Sequence, residues 1–281
     1  MRTLTNFLVF TFILSTSFVR AQTSETCNQN LSIFAESAKV KNYDAAYEPW
    51  TAVRAECPSL NRAIYTYGER ILKSRLKKAE GAAKEAEAQD LMKLYDQWIA
   101  NFPSRKGKNM IGSILASKAQ TMMDYKLGTT AEIYAVFDDA FTKDINSFTN
   151  PKGLYNYFKT MHDLYKAGAA GVTPEKLFNK YEEVSEKFEL EGTKLAKKLD
   201  VLLKKEESGS PLTTRDLKNR KKFDTNSKAI GIFLSNLDAI ISKESTCENL
   251  IPLYTRNFEE NKNDAVWLNR AAGRMKSKEC S

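Results

Sequence analysis

Residues 27–57 have the sequence CNQNLSIFAESAKVKNYDAAYEPWTAVRAEC, and residues 247–280 have the sequence CENLIPLYTRNFEENKNDAVWLNRAAGRMKSKEC. Each stretch begins and ends with a cysteine, and in each an Asp-Ala step lies seventeen residues after the first cysteine. Apolar residues recur at steps of three and four on both sides of a polar turn, which is the spacing of amphipathic helices. We therefore interpret the two stretches as copies of one helix-turn-helix unit.

The four cysteines favour two disulfides. Two antiparallel helices of about thirteen to sixteen residues place the start of the first helix beside the end of the second. This geometry predicts that Cys27 pairs with Cys57 and that Cys247 pairs with Cys280, although four cysteines allow three pairings. A zinc site is the alternative, but the single histidine, His162, lies far from every cysteine in sequence, and neither cysteine spacing is that of a zinc knuckle.

Residues 1–21 have the three parts of a secretory signal peptide. A short basic start precedes an apolar run over residues 7–19, and Ala21 occupies the last position before the expected cleavage site. The run is interrupted by hydroxyl residues and falls short of the roughly 18 to 20 residues of a membrane span, which disfavours an anchor. Lipid modification of Cys27 is a further alternative, disfavoured because small apolar residues do not precede it. We expect an exported protein, periplasmic or associated with the outer membrane, in a compartment where cysteines form disulfides.

Charge is mixed along the chain. The sequence has 43 lysines and arginines, 35 acidic residues and a net charge of +8, of which Arg2 and Arg20 belong to the predicted signal peptide. A nucleic-acid-binding protein would concentrate basic residues on one face, with aromatic residues between them. Because the basic clusters fall on stretches with the pattern of exposed helix, we expect no nucleic-acid partner and leave open a weak attraction to acidic polymers or glycans.

Glycine and proline are sparse, at 12 and 7 residues, and they fall between apolar-periodic segments, which predicts an all-α chain. The longest segment runs from Pro174 to Glu207, and a second long helix returns to about Lys243, so we predict a coiled-coil-like antiparallel pair. The polar stretch 213–227 has few candidate core residues and is expected to form the tip of that pair. Shorter helices are predicted over Cys27–Val40, Asp44–Glu56, Leu60–Lys78, Ala83–Asn101, Arg105–Lys126, Thr130–Asn146, Pro151–Ala167, Cys247–Glu259 and Asn263–Lys278.

The second helix of the first unit resembles the second half of a tetratricopeptide repeat. In that family an aromatic residue in the turn is followed by a small residue, a second aromatic residue and a proline, and here Tyr43, Ala46, Trp50 and Pro58 hold those places. The small residue lets neighbouring helices approach, the aromatic residues fill the gap and the proline ends the helix. The chain departs from the family at Lys41, where glycine is usual, and in its first helices.

With its export signal, cysteine-bounded hairpins and long helical pair, the chain is similar to secreted tetratricopeptide-repeat proteins of Bacteroidetes-type bacteria. The resemblance implies an all-α fold of stacked antiparallel helical hairpins, a tetratricopeptide-like α-solenoid. It also implies an array that continues further, so we expect this one to be truncated. We divide the chain into a signal peptide (1–21), tetratricopeptide-like repeats (22–103), irregular helical repeats (104–173), a long antiparallel helical pair (174–245) and a disulfide-stapled C-terminal hairpin (246–281).

Sequence patterns of catalysis are missing. One histidine, His162, excludes a histidine-rich metal site, and the sequence contains no HExxH or GxSxG motif and no glycine-rich phosphate loop. The neighbouring carboxylates Asp138-Asp139 and Glu182-Glu183 do not share a helical face, as paired glycosidase carboxylates would need to. We expect a chain that is not an enzyme and that binds no metal or cofactor.

Four aromatic residues, Tyr155, Tyr157, Phe158 and Tyr165, are candidates for stacking on sugars or peptides, with core packing as the alternative. The main functional hypothesis is a non-enzymatic exported scaffold whose stacked helices present a concave surface to a protein or peptide partner in the cell envelope. The alternative, from another class, is a binding module for envelope polysaccharide or peptidoglycan fragments. A glycan-cleaving enzyme is the third hypothesis.

Overall fold

A computed structural model describes residues 25–280, and the predicted signal peptide, residues 1–21, lies outside the described residues. Eleven helices are present in the described part, packed in adjacent pairs, which confirms the predicted all-α fold of helical hairpins. They are α1 (residues 25–39), α2 (Tyr43–Glu56), α3 (Ala63–Lys78), α4 (Gly81–Asn101), α5 (Ile111–Tyr125), α6 (Thr130–Asp144), α7 (Pro151–Lys166), α8 (Pro174–Glu207), α9 (Thr214–Glu244), α10 (Cys247–Asn261) and α11 (Ala265–Ser277).

The chain forms two compact units, Met1–Ile114 and Leu115–Ser281. The first unit contains α1 to α4 and a short β-hairpin, and the second contains α6 to α11. The division falls within α5, so the predicted irregular repeats, the long helical pair and the C-terminal hairpin share the second unit apart from residues 104–114.

Both disulfides form as predicted. Cys27 pairs with Cys57, with their Cα atoms 6.4 Å apart, and this bond joins the start of α1 to the residue after α2. Cys247 pairs with Cys280, with their Cα atoms 5.3 Å apart, and this bond closes the hairpin of α10 and α11. Each disulfide therefore ties the two ends of one hairpin together.

The repeat signature packs α2 against α3. Ala46 and Trp50 are buried, and the indole Nε1 of Trp50 donates a hydrogen bond of 2.7 Å to the backbone carbonyl of Ile64. Gly68 lies directly against this indole, since a Cβ atom at that position would be 2.7 Å from the Trp50 ring. Close approach of the two helices thus depends on a residue without a side chain.

The segment between α4 and α5 differs from the prediction. A helix was expected from Arg105, but Ser104–Arg105 and Lys108–Asn109 form a two-stranded antiparallel hairpin, and α5 begins only at Ile111. Lys106 and Gly107 join the strands with φ values of 50° and 74°, and this left-handed pair is the backbone of a tight two-residue hairpin turn. The turn costs Lys106 some strain, which Gly107 avoids.

The second unit is built around the long pair of α8 and α9, of 34 and 31 residues. Tyr181 and Phe188 of α8 are fully buried, and Leu202 is the last buried residue of this helix. Between Leu202 and Ile230 the described chain has no buried residue, which confirms that the tip of the pair lacks a core.

The C-terminal hairpin buries Leu250, Leu253 and Tyr254 of α10 against α11 and the long helices. Phe258 of α10 and Val266 of α11 are apolar but lie outside the buried face, since their side chains are 47% and 55% exposed. On α11 the buried residues are Trp267, Ala271 and Arg274, at helical steps of four and three. Val266 lies one residue from this face and therefore projects away from it.

We predict that Gly68→Ala lowers the free energy of unfolding by about 1 to 3 kcal/mol, because the new methyl group overlaps the Trp50 indole. The matched control is Gly231→Ala in α9, where a Cβ meets no atom within 4 Å. Alanine favours helix over glycine by about 1 kcal/mol, so the control is expected to be neutral or stabilising. Chemical denaturation measures both, and equal effects would contradict the close approach.

We predict that Asp216, at the start of α9, titrates with a pKa of about 2, because its carboxylate accepts hydrogen bonds from Lys205 and then from Thr213. Its folded pKa is depressed below 3.8, so its stabilising effect is present above that pH and is lost as the pH falls towards 2. In Lys205→Gln the pKa is expected to rise, whereas in the control Lys218→Gln it stays low. Side-chain NMR titration measures this, and an unchanged pKa in Lys205→Gln would refute the assignment.

Candidate functional site

A pocket of about 360 Å³ lies in the second unit, between the start of α8 and the first turns of α10. Its lining residues come from the two helices and from the residue before α8. They are Thr173, Pro174, Glu175, Phe178, Glu248, Asn249, Pro252, Leu253 and Arg256. The volume suits one large side chain or a small ligand.

Local sequence sets the α8 side of the pocket. Thr173 caps the helix, since its side chain accepts a hydrogen bond from the backbone N–H of Lys176, and Pro174 occupies the first helical position. Both features start the helix sharply. Phe178, on the next turn, is almost fully buried and supplies an apolar wall together with Leu253 of α10.

Pro252 gives the α10 side an unusual backbone. It lies inside the helix, and proline has no N–H, so the carbonyl of Glu248 lacks its usual helical donor. Glu248 and Pro252 both line the pocket. The pocket therefore combines apolar walls with the polar side chains of Glu248 and Asn249 on one proline-containing helix.

Charged side chains surround the pocket. Arg256 forms an ion pair with Glu175 across the gap between α10 and α8 and donates a hydrogen bond of 3.3 Å to Asn179. Arg256 and Glu175 are about half exposed, so water screens this pair and it contributes little to stability. Glu248 makes no ion pair within residues 25–280, which leaves one acidic side chain at the pocket available to a partner.

A buried ion cluster fixes α11 to the long helical pair. Arg274 donates to the carboxylate of Glu182 at 3.2 Å, to Asp238 at 3.0 Å and to the Tyr254 hydroxyl at 3.0 Å. Arg270 completes the cluster, since it donates to the other Glu182 oxygen at 2.7 Å. Because Tyr254 follows Leu253 on α10, the cluster also holds the pocket wall in place.

Burial and the neighbouring charges act in opposite directions on the pKa values of Glu182 and Arg274 in this cluster. Burial raises the pKa of Glu182 above its ordinary value, against the opposing charges of Arg270 and Arg274. It also raises the pKa values of Tyr181 and Tyr254. Burial alone would lower the pKa of Arg274, but Tyr181, Tyr254 and Glu182 outweigh it, so this pKa lies above the usual arginine value.

The four candidate aromatic residues all lie on α7, outside the pocket. Tyr157 and Phe158 are fully buried and have no exposed face for a ligand, so their interpretation as binding aromatics is wrong and core packing applies. The Tyr157 hydroxyl donates to Asp138, and burial raises its pKa. Tyr155, partly exposed, stacks on Phe233 with ring centroids 5.2 Å apart, and Tyr165 is also half-buried.

The repeat-signature residues lie in the first unit, and His162 lies on α7 in the second. Tyr43 is half-buried at the start of α2, and Pro58 follows the disulfide-bonded Cys57. His162 pairs with Glu244, with 3.0 Å between Nε2 and the carboxylate, and so belongs to the packing of α7 against α9. Among residues 25–280, no three or more His, Cys, Asp or Glu side chains are grouped to hold a metal ion.

Sequence reasoning missed both the pocket and the ion cluster. The arginines had a signal, since Arg270 and Arg274 are one turn apart and share a helical face with Trp267 and Ala271. Pro252 inside a helix was a second signal. The pairing of the two arginines with α8 had no sequence signal, because more than 80 residues separate Glu182 from Arg270.

Comparisons with protein-family models, with curated proteins and with solved structures gave no match to this chain. No helix in the described part is both long and apolar enough to cross a membrane. The functional interpretation therefore depends on the geometry of the chain's own residues.

We predict that Arg274→Met lowers the free energy of unfolding by about 3 kcal/mol or more, because it leaves Glu182 partly uncompensated in a buried position. The matched control is Arg256→Met, an arginine of the same hairpin whose carboxylate partner is exposed, and it is expected to cost less than about 1 kcal/mol. Chemical denaturation compares the two variants. Equal losses would show that the buried cluster is not a stabilising contact.

Proposed function

We propose that this chain is an exported, non-enzymatic helical scaffold that binds a partner protein in the cell envelope through the pocket between α8 and α10. The observation that carries the proposal is the pocket itself, with apolar walls and charged side chains around it. Two disulfides suit an oxidising compartment, which supports the expected export. The tetratricopeptide-like signature of α2 supports a role in protein binding.

The size and chemistry of the pocket favour one anchoring side chain of a protein. Protein interfaces take most of their binding energy from a few large side chains that fill desolvated pockets, surrounded by polar contacts. Phe178 and Leu253 provide the apolar walls, and Arg256 and Glu248 provide the polar surround.

Binding of envelope polysaccharide or peptidoglycan fragments is the alternative. Sugars are commonly held against exposed aromatic faces. Phe178, the aromatic side chain that lines the pocket, is almost fully buried, and this favours the protein partner.

Site-specific photo-crosslinking tests the proposal. A photoreactive amino acid at Glu248, in the full chain expressed in its own host, is expected to capture one discrete partner protein, identified by mass spectrometry. The matched control places the same amino acid at Glu260, an exposed glutamate on the same helix outside the pocket.

Charge reversal at Arg256 then shows whether capture of the partner depends on the pocket. Arg256→Glu is expected to abolish crosslinking from position 248. The control Lys262→Glu, at the exposed residue that follows α10, is expected to leave crosslinking intact. A glycan adduct at position 248 would favour the polysaccharide alternative. Identical capture at positions 248 and 260 would refute the pocket as the binding site.

A further inference from the structure

A group of basic residues in the first unit has no acidic partner. Arg105, Lys106 and Lys108 are exposed on the hairpin between α4 and α5, and Arg62 lies just before α3. No ion pair among residues 25–280 includes any of these four side chains. The other half-buried arginines of this unit do have partners: Arg54 is bound to Asp90, and Arg75 is bound to Glu87.

Arg62 is held in an unfavourable place for a cation. It occupies the N-cap position of α3, where the helix dipole disfavours positive charge. Its guanidinium lies over the ring of Trp98, 5.2 Å from the centroid, and its Nε atom is buried without a hydrogen-bond partner. Burial, followed by the positive charge of Arg105, lowers the pKa of Arg62.

Trp98 adds a second unsatisfied donor at the same place. Its side chain is only 6% exposed, yet its indole Nε1 is buried and makes no hydrogen bond. Buried donors normally have an acceptor, and leaving such a hydrogen bond unmade costs free energy. The ring that underlies the Arg62 guanidinium thus carries a donor that the chain itself does not satisfy.

The hairpin has the same one-sided charge. Arg105 and Lys108 are direct cross-strand partners, and like charges placed directly opposite each other destabilise a sheet. Lys106, which adopts a left-handed conformation at the turn, adds a third cation. These neighbouring positive charges do not stabilise the hairpin, whereas an anionic ligand would compensate them.

A disulfide and two hydrogen bonds hold the segment that carries Arg62. The segment that carries Arg62 begins at the disulfide-bonded Cys57 and is fixed to the end of α4 by a hydrogen bond of 2.8 Å between Ser59 and Asn101. The Tyr65 hydroxyl also donates to the carbonyl of Pro58 at 3.1 Å. A site held in this way loses little entropy when a ligand binds.

We propose that Arg62 and the hairpin 104–109 bind an acidic segment of a polypeptide, whose carboxylates pair with Arg62 and Arg105 and whose backbone pairs with an edge of the hairpin. Guanidinium groups match carboxylates with two parallel hydrogen bonds. The hairpin favours a polypeptide over an acidic glycan, because both strands of a two-stranded sheet are edges with unpaired backbone groups. This site lies in the first unit and does not depend on the proposed pocket.

Fluorescence anisotropy with a labelled peptide of alternating glutamate and threonine tests the proposal on the purified chain. We expect saturable binding at physiological ionic strength. The double variant Arg62→Gln/Arg105→Gln is expected to weaken it about tenfold or more, because two charged hydrogen-bonding groups are removed. The control Lys84→Gln/Lys93→Gln removes the same charge from exposed, unpaired lysines of α4 and is expected to change binding less than about twofold.

Arg105→Gln alone, at an exposed position, keeps the test decisive if the double variant is unstable. Hydrogen exchange of the backbone amides of residues 104–109 is expected to slow in the peptide complex. Equal weakening by the two double variants, tighter binding of fluorescent polygalacturonate than of the peptide, unchanged amide exchange or an absence of saturable peptide binding would each overturn the proposal.

Discussion

Two disulfides constrain the hairpins on which the candidate surfaces depend. The Cys27–Cys57 bond fixes the segment that leads to Arg62, and the Cys247–Cys280 bond closes the hairpin whose first helix forms one wall of the pocket. Closing a loop of about thirty residues stabilises the folded state by roughly 3 to 4 kcal/mol in the chain-entropy account. A helical hairpin has few long-range contacts of its own. Each disulfide therefore fixes the two ends of its hairpin relative to each other before a partner binds.

The C-terminal hairpin shows how charge replaces apolar packing. On α11 an arginine, Arg274, takes a position that an apolar residue would usually fill, and it is compensated by Glu182 and Asp238 from the two long helices. An ion cluster of this kind tolerates only one register, because a shift of α11 by one residue would leave buried charges unpaired. This explains why Val266 stays exposed: the helix rotates to satisfy its arginines.

The periodicity of apolar residues was sufficient to predict most of the helices but not to identify the candidate binding sites. The apolar periodicity from Pro174 to Glu207 predicted the long helix, because burial of one helical face requires such spacing. It could not show that the face of α7 with Tyr157 is covered by neighbouring helices, since an apolar stripe has the same pattern whether it binds a ligand or a core. The hairpin at Lys106-Gly107 was missed because a lysine in the left-handed region has no local sequence signal.

The buried acid Glu182 illustrates how a raised pKa is to be assigned. Such shifts are common at catalytic sites, but structural ion networks produce them as well. A catalytic acid must reach the reacting atoms. Glu182 does not have that freedom, because one carboxylate oxygen accepts from Arg270 and the other from Arg274, and its side chain is almost fully buried. The shift therefore reflects burial of a structural carboxylate that anchors α11, and the pocket nearby gains a fixed wall from this anchoring.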